Sequence, residues 1–305
     1  MTTPGTATAH AYPLSTRVAI EGLGSFFIVF AGLATALFGV AGSGSTVGFA
    51  YGLAMVAAII AFGHISNGYF NPAFSLGMAV AGRLKFPAMA LYMVAQTVGA
   101  VLASAVVLAL VKVVPGTPET PKLFAALANG FDAHSPSQVP MVGVLIVEIV
   151  AVAVLTALIL GITSARNTTT LGPIGIGLGF AVAVGVTMPL SGGSLNPARA
   201  TSVVFLAESW AAGQLWLFWL APLFGAALAA AIFRSFAPAV SLVEADLAHD
   251  AVAPAATIAA GDSAAAVATD ADQLSRPVPA SGKESAGSGS AAIDDARAFF
   301  DGPKK

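Results

Sequence analysis

No Asp, Glu, Lys or Arg occurs between Glu21 and Arg83. At about 20 residues per bilayer crossing, a charge-free stretch of this length is too long for one span and has no polar face to turn to water. The whole chain follows suit: of 305 residues, 57% are hydrophobic and 9% charged, and the mean hydropathy is +0.85. The fold class expected is therefore all-α and membrane-spanning, since a soluble globular domain carries far more charge.

The charges that do occur are unevenly placed. Residues 1–239 hold 8 Lys/Arg and 5 Asp/Glu, whereas 240–305 hold 5 and 10. Residues 237–305, rich in Ala, Ser, Gly and Asp and without a sustained amphipathic period, read as a disordered acidic tail. Residues 1–16 lack the basic start and small-residue cleavage site of a secretory signal, so the first apolar segment reads as a retained span. With no cysteine, disulfides, thiolate metal ligands and a Cys nucleophile are excluded. The histidines, at 10, 64, 134 and 249, are too scattered for a metal cluster. No enzyme activity, no cofactor and no nucleic-acid partner is expected.

The Gly/Ser-rich turn at 41–48 divides the long apolar stretch. Six spans follow, at about 17–40, 47–64, 86–111, 140–163, 171–190 and 213–236, with a polar loop at 112–139. Arg17, Arg83, Lys85, Arg166 and Arg234 fall on one side of the membrane and Lys112 and Lys122 on the other, which predicts cytoplasmic termini.

The segments "SNGYFNPAFSLG" and "SGGSLNPARATS" carry the same tripeptide, Asn71-Pro72-Ala73 and Asn196-Pro197-Ala198. Other landmarks keep nearly the same offset, Glu21 with Glu148 and Gln96 with Pro222. The chain thus reads as two copies of one unit, about 17–111 and 140–236, within a single membrane domain at 17–236. Three spans per unit is an odd number, so the second copy enters from the opposite face, giving an inverted 3+3 repeat. Asn is a good helix cap and Pro suits a first helical position, so each tripeptide reads as a helix start. About ten apolar residues follow each one, a half-helix of roughly 15 Å. Six transmembrane helices plus two re-entrant half-helices meeting at the midplane is the architecture expected. The loops 63–70 and 189–195 would lie at membrane depth, where irregular backbone is tolerated only if it is buried in protein or lines a wet cavity. Gly68, Gly192 and Gly193 ease their dihedrals.

With "FAYGL", "GHISNGYFNPAFSLG", "YMVAQTVGA", "SGGSLNPAR" and "FWLAPLFGAALA" in view, the chain resembles an aquaporin of the major intrinsic protein family over about residues 17–236. The resemblance implies four subunits, each with its own pore, in a cell membrane, passing water without a cofactor. It implies that Asn71 and Asn196 donate to passing water and that Arg199 stands at an outer constriction completed by Tyr51, Val184 and Gly193. The family's water-selective members usually carry His where this chain has Val184, which leaves glycerol, urea and other small neutral solutes open. Ala200 after Arg199 and the pair Phe218-Trp219 favour the water branch.

Two helix starts, each worth about +0.5 charge, converge with Arg199 and disfavour cations. Glu21 and Glu148, inside apolar spans, are expected to support the re-entrant loops by accepting from their backbone N–H groups. His64 is expected to hydrogen-bond within the first loop. Gly175 and Gly179 form a GxxxG suited to close helix packing, and the three tryptophans read as interfacial or packing aromatics. The rival readings are an inverted-repeat transporter, which would need ion coupling, and a non-conducting membrane scaffold.

Overall fold

The computed structural model describes residues 12–39, 44–117 and 119–236. Most of the expected N-terminal segment and the acidic tail lie outside the described residues.

The elements run α1 (Leu14–Phe38), α2 (Gly44–Ser66), α3 (Pro72–Val80), α4 (Phe86–Val113), α5 (Thr120–Ala125), a 3-10 turn (Asp132–His134), α6 (Met141–Ile162), α7 (Gly172–Ser191), α8 (Pro197–Val204) and α9 (Ser209–Ser235). Six of them, α1, α2, α4, α6, α7 and α9, are long and apolar enough to cross a membrane. The described residues contain no strand. The protein is a six-span, all-helical membrane protein, with three short α-helices, α3, α5 and α8, between spans among the described residues, and the fold class expected from the sequence holds.

Proline at the first or second position starts α3, α4, α5, α7 and α8, where its missing N–H would have had no helical partner. The half-helices, nine and eight residues long, stop two or three residues short of the expected ends. In the first, Gly82 (φ 77°) turns the chain out of the helix. Helix α9 starts at Ser209, earlier than expected, and so takes in Trp210.

The two repeats are legible in the packing. Helix α4 lies along α1, α9 lies along α6, and α2 packs against α7. At the first crossing a Cβ on Gly99 would strike the Gly22 carbonyl oxygen, and at the second a Cβ on Gly225 would strike that of Ile149. At the third the contact is reciprocal: a Cβ on Gly52 would lie 2.5 Å from the Gly177 oxygen, and one on Gly177 would lie 2.5 Å from the Gly52 oxygen. A pseudo-two-fold axis therefore passes between these glycines.

This corrects the expectation placed on the GxxxG pair. Gly175 and Gly179 face α6, and a Cβ there would meet the side-chain ends of Ile162, Leu158 and Leu155 rather than backbone. The intervening Gly177, on the α2 side of the helix, makes the close backbone approach.

Candidate functional site

Two buried carboxylates organise the re-entrant loops. Glu21 Oε1 accepts from the Ser66 hydroxyl (2.7 Å) and the Tyr69 N–H (3.1 Å), while Oε2 accepts from the Phe70 N–H (2.6 Å) and Gln96 Nε2 (2.8 Å). In the second half, Glu148 accepts from the Ser191 hydroxyl (2.5 Å) and the Leu195 N–H (2.9 Å). Each carboxylate, itself fully buried, thus satisfies backbone donors that have no helix or sheet to pair with.

The loops match dihedral by dihedral. Asn67, Gly68 and Phe70 have φ of 78°, 69° and 51°, and Gly192, Gly193 and Leu195 have 79°, 67° and 52°. Phe70 and Leu195 are non-glycine residues in the left-handed region, an arrangement that costs about 1–3 kcal/mol unless the surroundings hold it. The N–H of each donates to a buried glutamate, which supplies that restraint.

The chain then returns to extended geometry at Asn71 (φ −151°, ψ 126°) and Asn196 (φ −147°, ψ 108°) and enters a helix. Asn71 Oδ1 accepts from the Ala73 N–H (2.9 Å), and Asn196 Oδ1 accepts from the N–H groups of Ala198 (2.9 Å) and Arg199 (3.3 Å). Both are N-caps, with Pro72 and Pro197 at the first helical positions. The two helix starts meet: Asn71 Nδ2 donates to the Leu195 carbonyl at 3.0 Å. That bond uses one amide hydrogen of Asn71, and among the described residues the Asn196 amide nitrogen takes no protein acceptor.

Beyond Asn196, on the first turn of α8, stands Arg199. Arg199, only 2% exposed, donates through Nε to the Tyr51 hydroxyl (3.3 Å), through Nη2 to the Gly192 carbonyl (3.0 Å), and through Nη1 to Asn129 Oδ1. The Tyr51 ring is fixed in turn, packed where a Cβ on Gly32 would otherwise go and edge-on to Phe180 at 6.3 Å. A Cβ on Gly193 would lie 2.9 Å from Met188 Sδ and 3.2 Å from Val184 Cγ1, so these three residues form one apolar surface. Of the four positions expected at the constriction, Tyr51 and Arg199 are hydrogen-bonded to each other, and Val184 and Gly193 are neighbours of one another.

A cavity of about 610 Å³ opens beside Arg199, lined in part by Thr46, Tyr51, Ala128 and Met188. A second, of about 750 Å³ and lined in part by Met55, Asn67, Tyr69, Phe74 and Arg83, opens at the opposite end. Arg83 joins the loop after α3 to the end of α6 by donating to the Thr163 hydroxyl (2.6 Å) and the Leu160 carbonyl (3.1 Å). Partial burial there pulls its pKa below the ordinary value.

His64 does not hydrogen-bond within the loop as the sequence led us to expect. It is exposed at the end of α2, edge-on to the Tyr12 ring at 6.1 Å. Ser66, two residues on and so turned toward the buried side, takes that role, and its hydroxyl also accepts from the Gly68 N–H (3.2 Å). Sequence reasoning missed Ser66 and Ser191 although a signal was present, since each stands five residues before its Asn-Pro-Ala. It missed Asn129 altogether, and no repeat points to that residue. The tryptophans are not only interfacial: Trp219 Nε1 donates to Thr201 on α8 (2.9 Å), and Trp210 stacks on His134 with ring centroids 3.9 Å apart.

Six spans in two inverted halves, with two capped half-helices touching end to end, define an integral membrane protein built around re-entrant loops. The Major intrinsic protein family profile matches residues 9–233, and the chain belongs to that family. It is 37% identical over 223 residues to aquaporin Z of Bradyrhizobium diazoefficiens, covering 72% of this chain and 92% of that protein. With aquaporin Z of Photorhabdus laumondii it shares 34% identity over 223 residues, 72% of this chain and 96% of that one. Among solved structures, the aquaglyceroporin from Plasmodium falciparum superposes with a TM-score of 0.61 over 77% of this chain and 100% of that one. At 22% identity this last likeness bears on the fold alone.

Proposed function

We propose that residues 17–236 form a passive channel for water, with its narrowest point at Tyr51, Val184, Gly193 and Arg199. The observation that carries the reading is the end-to-end meeting of two capped half-helices, Asn71 to Leu195 at 3.0 Å, between two vestibules. The aquaporin Z relatives support it. Two helix N-termini, each worth about +0.5 charge, raise the electrostatic cost of a cation at their junction. The free amide hydrogens of Asn71 and Asn196 donate to a passing water oxygen, which turns that water away from relaying a proton. Arg199 adds a full positive charge at the neck. The action is permeation, without chemistry and without a cofactor.

The apolar wall of Val184 and Gly193 favours a second reading, a broader facilitator of glycerol, urea or similar neutral solutes. In either case the protein sits as a homotetramer in the plasma membrane with both termini cytoplasmic. The grouping of Arg83, Thr163 and Arg234 around one mouth supports that orientation. The test is stopped-flow light scattering on proteoliposomes shocked with hyperosmotic glycerol. Shrinkage faster than in empty liposomes is expected, and shrinkage no faster would overturn the reading. Fast re-swelling afterwards selects the facilitator.

A further inference from the structure

We infer that the loop joining the two repeats sets the solute cut-off of the pore, through Asn129 acting as a positioning residue for Arg199. The inference rests on the channel reading above.

Arg199 is tethered from three separate pieces of chain: Tyr51 on α2, Gly192 after α7, and Asn129 on the loop between α5 and the 3-10 turn. A guanidinium has five N–H donors in a fixed fork, so three acceptors on three sides hold both its place and its plane. Val184 and Gly193, which complete the narrowest point in the channel reading, bring no side-chain polar atom. The width of the neck therefore depends on where one long side chain is held.

Asn129 is suited to hold it because it is itself immobilised. Its Nδ2 donates to the Ser191 carbonyl (3.2 Å), and the Gly130 N–H donates to the same oxygen (3.2 Å). Gln214 on α9 grips the next residue in both directions, accepting from the Phe131 N–H (2.8 Å) and donating to the Phe131 carbonyl (3.2 Å). Ser135 fastens the far side of the turn by donating to the Leu190 carbonyl (2.8 Å). A chain segment fixed to α7 and α9 thus delivers one oxygen to Arg199. Without that oxygen the guanidinium keeps only the Tyr51 and Gly192 tethers and swings toward the adjoining 610 Å³ vestibule, which widens the neck.

The experiment measures water and urea permeability separately, by stopped-flow on proteoliposomes of the full chain, for wild type, Asn129→Leu and Asn129→Asp. Loss of one tether is expected to raise the urea-to-water ratio about fivefold in Asn129→Leu. Asn129→Asp keeps the oxygen acceptor facing Arg199; it loses the Nδ2 donor to the Ser191 carbonyl, but the Gly130 N–H still holds that oxygen, and the ratio is expected to stay within about twofold of wild type. A structural defect would lower both permeabilities together and leave the ratio unmoved. Fast water flow in wild type with an unchanged ratio in Asn129→Leu overturns the inference and leaves the channel reading intact. Wild-type shrinkage no faster than empty liposomes removes both. If Asn129→Leu does not fold, Tyr51→Phe, which deletes the other side-chain tether, must raise the ratio, and an unchanged ratio there overturns the inference.

Discussion

At the scale of single residues, the two glutamates are the restraints on which the re-entrant loops depend. Replacing Glu21 by Gln turns one acceptor oxygen into a donor facing other donors. With four partners on that carboxylate, the expected loss of stability is about 1–3 kcal/mol. Glu148→Gln disturbs fewer partners, the Ser191 hydroxyl and the Leu195 and Ser194 N–H groups, and should lower the unfolding temperature in detergent by less. A larger drop for Glu148→Gln would count against the partner assignment. Arg199→Val removes the one full charge at the neck. We expect water flow to persist while proton leak, followed with a pH-sensitive dye trapped in liposomes, and urea uptake both rise. Unaltered leak would show that the half-helix termini suffice as the barrier.

Elements meet here through glycine, and the structure tells apart the glycines that matter. Gly99 lets α4 come within backbone contact of α1 at Gly22, whereas nothing lies within 4 Å of a Cβ built on Gly185. Gly99→Ala should cost about 1–3 kcal/mol through forced separation of the two helices, and Gly185→Ala should leave thermal unfolding unchanged. The same contrast explains why the GxxxG at Gly175 and Gly179 misled. A spacing identifies a small-residue stripe but not the neighbour it faces, and the close approach belongs to Gly177 between them. The spans themselves were easily read, because a bilayer demands long apolar runs and tolerates few charges. Their ends were less so, since Ser209, Trp210 and the last residues of the half-helices answer to local turns rather than to hydropathy.

For the whole molecule, what could be read beforehand was what occurs twice. Asn71 with Asn196 and Glu21 with Glu148 announce themselves by a shared offset, and the structure repeats it down to the φ angles of Phe70 and Leu195. Asn129 has no twin, and its bond to Arg199 spans 70 residues of sequence, so no periodicity could reveal it. Since Arg199, the two Asn-Pro-Ala starts and both vestibules fall within residues 12–236, truncation after Phe236 is expected to leave water permeability per protein unchanged. A marked fall after truncation would assign the tail a part in conduction.

The segment between α4 and α6 belongs to neither repeat. The paired scaffold is constrained by backbone contact at its crossings, Gly99 on Gly22 and Gly225 on Ile149. The connecting segment answers to no such counterpart, yet it reaches the arginine at the mouth. A change in what a descendant of this protein admits can therefore begin there, with the duplicated frame left as it is.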